Sequence, residues 1–468
     1  MNSSQNIDTI FHKQLQNNSP VSLKVRMEYL IKIERWINGH KHKIKEAHHK
    51  DLRKPESEIE LAEIWFVLSE IKIAKKNLKK WMKPKRVGKS TLALSTARSW
   101  IHYEPRGMVL IIAPWNFPFN LTIGPLVSAL AAGNRIIIKP SELTPNVSAI
   151  MDLMIKDIFE PEQVALFQGD QKISETLLRY PFHHVFFTGS PTIGKIVMQA
   201  ASKHLASITL ELGGKTPTII DQTAKMEMTT NKLVWGKCIN LGQSCISPDY
   251  ILVHDSKKSQ LIDQLSNKLN SIYGKSFDEK NDSPDLARIV NEHHFDRLDR
   301  LLISAIDEGA TIAQGGERDR EKLFIEPTIL DSITLDMNIM KEEIFGPLLP
   351  IISYNDLEEC IEIINAKTKP LALYMFSQSN KNIQHVIENT SSGGMVINEV
   401  KSHFLNLHLP FGGVNASGFG RSHGHNGFLT FSNERSMQKN GSYSMVGLTF
   451  PPYNDWTKRM IRFVTRYL

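Results

Sequence analysis

Cysteine is scarce in this sequence. Three occur in 468 residues, Cys238, Cys245 and Cys360. So sparse and odd a set excludes the disulfide framework of a small secreted protein and points to a reducing, cytoplasmic setting. The N-terminus from Met1 to Asp8 is polar and lacks the apolar core of a signal peptide. An uninterrupted membrane span is lacking too. Residues 107–134 contain no charged side chain and are long enough to cross a bilayer. Yet Pro114, Pro118 and Pro125 break the run, and the amides of Asn116 and Asn120 would be costly in hydrocarbon. A buried strand, a structured loop and a buried helix are expected there. Internal repeats and long low-complexity linkers are also missing. The charge balance is mild, +7 with a pI near 9.0, which reads as an ordinary basic surface and gives no reason to expect a nucleic-acid partner.

What is present is the composition of a soluble globular protein, 41% apolar and 22% charged. From Ser22 to Met82, Leu, Ile, Lys and Glu recur at helical spacing and predict two or more amphipathic helices. His40, His42, His48 and His49 lie there among lysines. Like charges oppose a metal ion, so a solvated helix face is the reading and no metal is expected. Thr91 to Tyr103 alternates as a strand or hairpin. Strands then alternate with helices. The strands are Met108–Ile112, Ile136–Ile138 and Val185–Phe187, and the helices Leu121–Ala132, Asn146–Ile158 and Ile193–His204. A second series has strands near Thr216–Ile220, Tyr250–Val253 and Ala372–Met375. Its helices are Lys225–Asn240, Lys257–Ile272 and Asp356–Asn365. The alternation predicts an α/β protein with Rossmann-like doubly wound sheets. A Gly pair near Leu210–Gly214 suggests the main boundary.

Five segments carry candidate chemistry. In Phe187–Lys195 a strand runs through Gly189 into Ser190, a natural N-cap, and Pro191, which suits a first helical turn. Such a helix start suits a pyrophosphate, although the spacing to Gly194 is not the usual dinucleotide fingerprint. Lys139 and Glu142 follow a buried strand, where ligands of open α/β sheets gather. They could bind ribose or simply pair with each other. Cys245 follows small polar residues and a Gly turn, unlike Cys238 and Cys360, which read as buried hydrophobes. As a nucleophile it needs a field that lowers its pKa. Glu211 lies in an apolar segment, where burial suits a general base, with pairing to Lys215 as the alternative. Asn116, between Pro114 and Pro118, is a rigid amide fit for an oxyanion site, or a turn residue bonding its own backbone.

Taken together, these segments resemble the aldehyde dehydrogenase superfamily over nearly the whole chain. Six motifs stand in order: Pro-Trp-Asn-Phe-Pro at 114–118, Lys-Pro-Ser-Glu at 139–142, Phe-Thr-Gly-Ser at 187–190, Leu-Glu-Leu-Gly-Gly-Lys at 210–215, Gly-Gln-Ser-Cys at 242–245 and Glu-Ile-Phe-Gly-Pro at 343–347. The stretches at 51–55, 245–250, 409–414 and 450–453 look like the class 3 branch. Asn415 departs from that branch, which usually has Gly there, but Asn tolerates left-handed backbone. The resemblance implies an NAD-binding domain at 1–82 and 105–210 and a small β oligomerisation element at 83–104 and 425–445. It further implies a catalytic domain at 211–424 and a tail at 446–468. It implies attack by Cys245 on an aldehyde, an oxyanion held by Asn116 and the Cys245 N–H, hydride loss to NAD or NADP, and hydrolysis of a thioester with Glu211 as base. Lys139 and Glu142 would hold the adenosine ribose, Ser190 the pyrophosphate, and Glu343 and Phe345 the nicotinamide side. Ile112, Pro114, Trp115, Gly189 and Gly194 are assigned to the same cofactor site. Acyl transfer to coenzyme A is the enzymatic alternative, disfavoured by Glu211, and a non-enzymatic structural protein is the other. Medium- or long-chain aliphatic, or aromatic, aldehydes are the expected substrates, and a homodimer the expected assembly. The basic, apolar tail 456–468 could lie on a membrane surface or pack on protein.

Overall fold

The computed structural model describes residues 3–17, 19–88, 97–441, 447 and 450–467. Its centre is two sheets that meet along the chain's own path. The first has six strands in the order Gly418–Phe419, Ser207–Leu212, His184–Gly189, Met108–Ile112, Arg135–Lys139 and Val164–Leu166. All neighbours run parallel except Gly418–Phe419, which is antiparallel to Ser207–Leu212. Met108–Ile112 and Arg135–Lys139 are buried at every residue, as strands covered on both faces must be. The second sheet has seven strands, with Tyr250–His254, Pro217–Ile220 and Ala372–Phe376 near its middle. The chain crosses from one sheet to the other between Leu212 and Pro217, next to the expected Gly-pair boundary. Gly418–Phe419 returns to the first sheet, so the stretch 211–424 does not stay with one sheet. A third sheet of Lys85–Arg86, Arg98–Pro105 and Ser432–Lys439 joins the two regions expected to form the β element. Of the expected strand Thr91–Tyr103, residues 91–96 lie outside the described residues and residues 98–103 fall in the strand Arg98–Pro105.

The uncharged stretch 107–134 resolves as anticipated. A buried strand, a loop and the buried helix Asn120–Ala132 follow each other, and the helix keeps Pro125 inside it. Among the described residues no helix is long and apolar enough to cross a membrane. The helices Pro145–Ile158 and Pro191–Ser202 start where proline suits a first turn. The N-terminal region forms a long helix, Leu23–Leu52, and a helix Phe66–Trp81 preceded by the wide π-helical turn Ile59–Trp65. One expectation fails there. His48 is fully buried, not on a solvated face, because Glu63 lies 3.3 Å from its Nε2. His40 is spent on stacking against Trp36. Among the described residues no cluster of His, Cys, Asp or Glu is arranged to hold a metal ion.

Candidate active site

Cys245 owes its position to an unusual loop. The helix Met226–Cys238 ends, and Asn240, Leu241 and Gly242 then take left-handed backbone in succession, at φ 52°, 51° and 76°. Asn and Leu adopt that region at a cost, so the surroundings must hold them there. They do so with buried hydrogen bonds. Asn240 N donates to Glu58 Oε2 at 2.8 Å, and its side-chain amide donates to the carbonyls of Asn116 and Gln243 at 2.9 and 3.0 Å. Gln243 Nε2 donates to the carbonyls of Asn240 and Arg288, and its Oε1 accepts from Val290 N. Gly242 is required on space as well as angle, since a Cβ there would sit 2.2 Å from the Gly346 carbonyl oxygen. The cysteine loop is thus packed directly on the loop that carries Glu343 and Phe345.

Around the thiol, the field is not the one a resting thiolate needs. Burial, then the carboxyls of Glu343 and Glu211, push Cys245 up to about 12, against a weaker opposite pull from Lys401. These surroundings favour the thiol over the thiolate, although the half-buried sulfur faces both cavities. Cys238 and Cys360 are buried, as expected of core residues.

Glu211 lies near the end of a buried strand, paired across to Thr188 on one side and Gly418 on the other. Its two oxygens make no well-formed hydrogen bond, the Ser422 hydroxyl being only a weak partner. Burial raises its pKa to about 8, with Ser422 and Arg421 pulling the other way. The alternative pairing with Lys215 is not made. Lys215 instead binds Asp249 and donates to the carbonyls of Ile339 and Glu342. Asp249 also accepts from Ile344 N at 2.9 Å, pinning the Glu343–Phe345 loop. Glu343 is raised to about 8 by burial and by Asp249. It lies over Gly213, where any Cβ would meet Glu343 Oε2 at 2.1 Å.

Asn116 is buried, and its amide does not bond its own backbone. Nδ2 donates to the Gln243 carbonyl at 3.3 Å. A carboxamide has two N–H donors, so this bond ties Asn116 to the cysteine loop and leaves one donor free.

Two cavities share Cys245, Glu211, Leu121, Thr188 and Leu212. One, the more polar of the two, is a cleft enclosing about 2490 Å³, its open mouth included. Ile112, Pro114, Trp115, Asn116, Lys139, Glu142, Gly189, Ser190, Glu343 and Phe345 all line it. Ser190 caps the helix Pro191–Ser202, its Oγ accepting from Ile193 N at 3.4 Å. Lys139, nearly fully buried, donates to Glu142 Oε2 at 3.0 Å. The two therefore pair with each other and line the cleft together. Phe345 is held at φ 50°, its ring 5.3 Å from that of Trp115. A dinucleotide fits this arrangement: a capped helix start for phosphate and a carboxylate after a strand end for ribose. Gly194 alone of the expected set does not line the cleft. A Cβ there would sit 2.8 Å from Leu212 Cδ2, so it lets the helix lie close on its strand.

The other cavity is apolar and narrow, about 1080 Å³ with its open mouth included, with Leu61, Phe66, Phe117, Trp235, Phe404 and Phe411 among its walls. Asn415 stands at φ 54° in the nearby loop, the left-handed conformation anticipated for it. Sequence reasoning missed three groups here. His294 and Arg297, on the helix Glu292–Asp307, line the cleft. Arg297 donates to the carbonyls of Glu343 and Ile344 at 3.3 and 2.5 Å. Lys401 lines the apolar cavity, buried and without a hydrogen bond at Nζ, and burial lowers it to about 7. None of the three sits in a local pattern that marks it; only the fold brings them near Cys245.

A model of the aldehyde dehydrogenase family matches residues 11–437. The 4,4'-diaponeurosporen-aldehyde dehydrogenase of Staphylococcus aureus is 46% identical over 441 residues, 94% of this chain and 95% of that protein. Aldehyde dehydrogenase family 3 member B3 of Mus musculus is 40% identical over 443 residues, 94% of this chain and 90% of that protein. A solved structure described as the substrate-bound state of Staphylococcus aureus AldH superposes with a TM-score of 0.92 at 43% identity. It covers 98% of this chain and 99% of that one.

Proposed function

The chain belongs to the aldehyde dehydrogenase family, and we propose that Cys245 is its nucleophile and that its substrates are apolar aldehydes. It resembles the class 3 branch and oxidises aldehydes with NAD or NADP. One observation carries the assignment of residues: Cys245 and Glu211 lie where a polar cleft and an apolar cavity meet.

The reaction divides between the two sides. Cys245 gives up its thiol proton to solvent as it attacks the aldehyde carbon from the apolar cavity, the S–C bond forming as the carbonyl π pair moves onto oxygen. The free Asn116 N–H and the Cys245 backbone N–H stabilise the oxyanion. The nicotinamide group, when bound, supplies the hydride acceptor. Lys139 and Glu142 hold the adenosine ribose, Ser190 the pyrophosphate, and Glu343 and Phe345 the nicotinamide side. Ile112, Pro114 and Trp115 line the same cofactor cleft. An acyl thioester then remains on Cys245. Glu211 takes a proton from water, which attacks the thioester and releases the acid, the thiolate leaving from carbon. The residues 1–82 and 105–210 form the NAD-binding unit and 211–424 most of the catalytic unit. The β element at 83–104 and 425–445 is the surface for a homodimer, and the setting is the cytoplasm.

The walls of the apolar cavity support medium- or long-chain aliphatic, or aromatic, substrates. The name of the Staphylococcus aureus relative, which specifies 4,4'-diaponeurosporen-aldehyde, is in keeping with this. Each buried methylene is worth about 0.8 kcal/mol, so kcat/KM should rise roughly fourfold per carbon until the cavity is full. A series of straight-chain aldehydes, each with NAD and with NADP, tests this. A flat series would remove the chain-length claim, and acyl transfer to coenzyme A without acid formation would favour the alternative chemistry. Glu142 should favour NAD in the same assay by repelling a 2′-phosphate.

The tail supports contact with an anionic membrane surface. Its helix Asp455–Tyr467 exposes Trp456 and Phe463 and carries Lys458, Arg459, Arg462 and Arg466. Basic residues near an anionic bilayer contribute about 1 kcal/mol each. The full chain should co-sediment with vesicles containing phosphatidylserine and not with neutral ones, and a chain without residues 455–468 should stay in solution. Equal binding by both chains would end this reading.

A further inference from the structure

We propose that the segment from Lys54 to Glu63 is a brace that sets the position of the Asn116 amide relative to Cys245, with Lys54 and Glu63 as positioning residues for oxidation. This rests on the reading of Asn116 as the oxyanion donor.

The brace is an ion pair without solvent. Lys54 Nζ donates to Glu63 Oε1 at 2.7 Å, and both side chains are fully buried. Buried pairs give little net stability compared with apolar packing, so what else these groups hold is the question. Lys54 Nζ also donates to the Asn116 carbonyl at 2.9 Å and lies 4.3 Å from the centre of the Phe117 ring. Glu63 Oε2 accepts from Asn120 N at 2.8 Å, and Asn120 Nδ2 donates to the Ala62 carbonyl at 2.8 Å. One ion pair therefore grips both ends of the turn 116–120: the cation at its first carbonyl and the carboxylate at its last N–H. His48 Nε2, 3.3 Å from Glu63 Oε1, closes the third side.

The same segment reaches the cysteine loop. Glu58 accepts from Asn240 N, and Asn240 donates in turn to the Asn116 carbonyl that Lys54 holds. Asn116 and the loop leading to Cys245 are thereby referred to one rigid piece. The local backbone is shaped for this. Arg53 takes φ 47° to end the long helix, and the π-helical turn Ile59–Trp65 holds Glu63. Wide turns of this kind recur at functional sites.

The test uses the full chain and a double-mutant cycle. Displacing a catalytic group by about 1 Å can cost roughly 100-fold. Lys54→Met should therefore lower kcat by about that factor, with the NAD dissociation constant within about twofold of wild type. Lys54→Arg should recover part of the loss. Asn116→Ala should be as slow or slower, and adding Lys54→Met to it should cost little more, because Lys54 acts through Asn116. Multiplying losses in the double variant would overturn the brace, as would a folded Lys54→Met with wild-type kcat. Should Lys54→Met fail to fold, Glu63→Gln, which keeps its shape and its bond to Asn120, takes its place in the cycle. Non-multiplying losses then support the brace, and multiplying losses or wild-type kcat overturn it. If Asn116→Ala keeps full activity, it is the oxyanion reading that fails.

Discussion

With Cys245→Ala, acid formation from any aldehyde should fall by about 10⁴-fold or more, since covalent nucleophiles dominate the reactions they serve. Binding of NAD should survive with a dissociation constant within about twofold of wild type. The reason for that separation is geometric. Cys245 touches the cleft at one point, at its junction with the apolar cavity, whereas the remaining cleft residues are supplied by other strands and loops. The loop should also tolerate the change, since its shape is enforced by Asn240, Gly242 and Gln243 and not by the thiol. Stopped assays for the acid, beside calorimetric titration with NAD, measure the two quantities. Retained turnover would mean that the thiol is a bystander and would take the whole covalent scheme with it.

Glu211→Gln should produce a different defect. The first turnover should still yield reduced cofactor, one equivalent per site, and the steady state should then slow by about 10²- to 10⁴-fold, the usual contribution of a positioned base. In the wild-type protein the hydrolytic step should climb with pH through about 8, because Glu211 is raised to that value by burial and must be ionised to accept a proton. The glutamine variant should lose that limb of the profile. Rapid mixing with detection of the reduced cofactor distinguishes the cases. An unchanged steady state would assign the base elsewhere, with Glu343, also raised to about 8, the first place to look. No first turnover at all would mean that Glu211 acts before the thioester forms.

How much of the fold and the site is legible in the residues depends on how local each signal is. Ser190 and Pro191 announce a helix start by their own backbone preferences, and the helix begins there. Met108–Ile112 reads as a doubly buried strand because every residue is apolar. Cys245, Glu211 and Asn116 stand out because each is a polar group in a constrained or apolar setting. Short strands such as Gly418–Phe419 escape, since two residues carry no period. So do His294 and Arg297, whose importance comes from what the sheet order sets beside them. The His cluster misleads for the same reason. Nothing near His48 in sequence reveals that Glu63 and Lys54 will meet it in the interior.

The field around Cys245 has a consequence for the lifetime of the protein. Thiols react with peroxides, disulfides and stray electrophiles through the thiolate, and a cysteine pushed up to about 12 holds almost none of it at neutral pH. The resting enzyme should therefore lose activity to iodoacetamide or peroxide at neutral pH more slowly than a free thiol of ordinary pKa reacts.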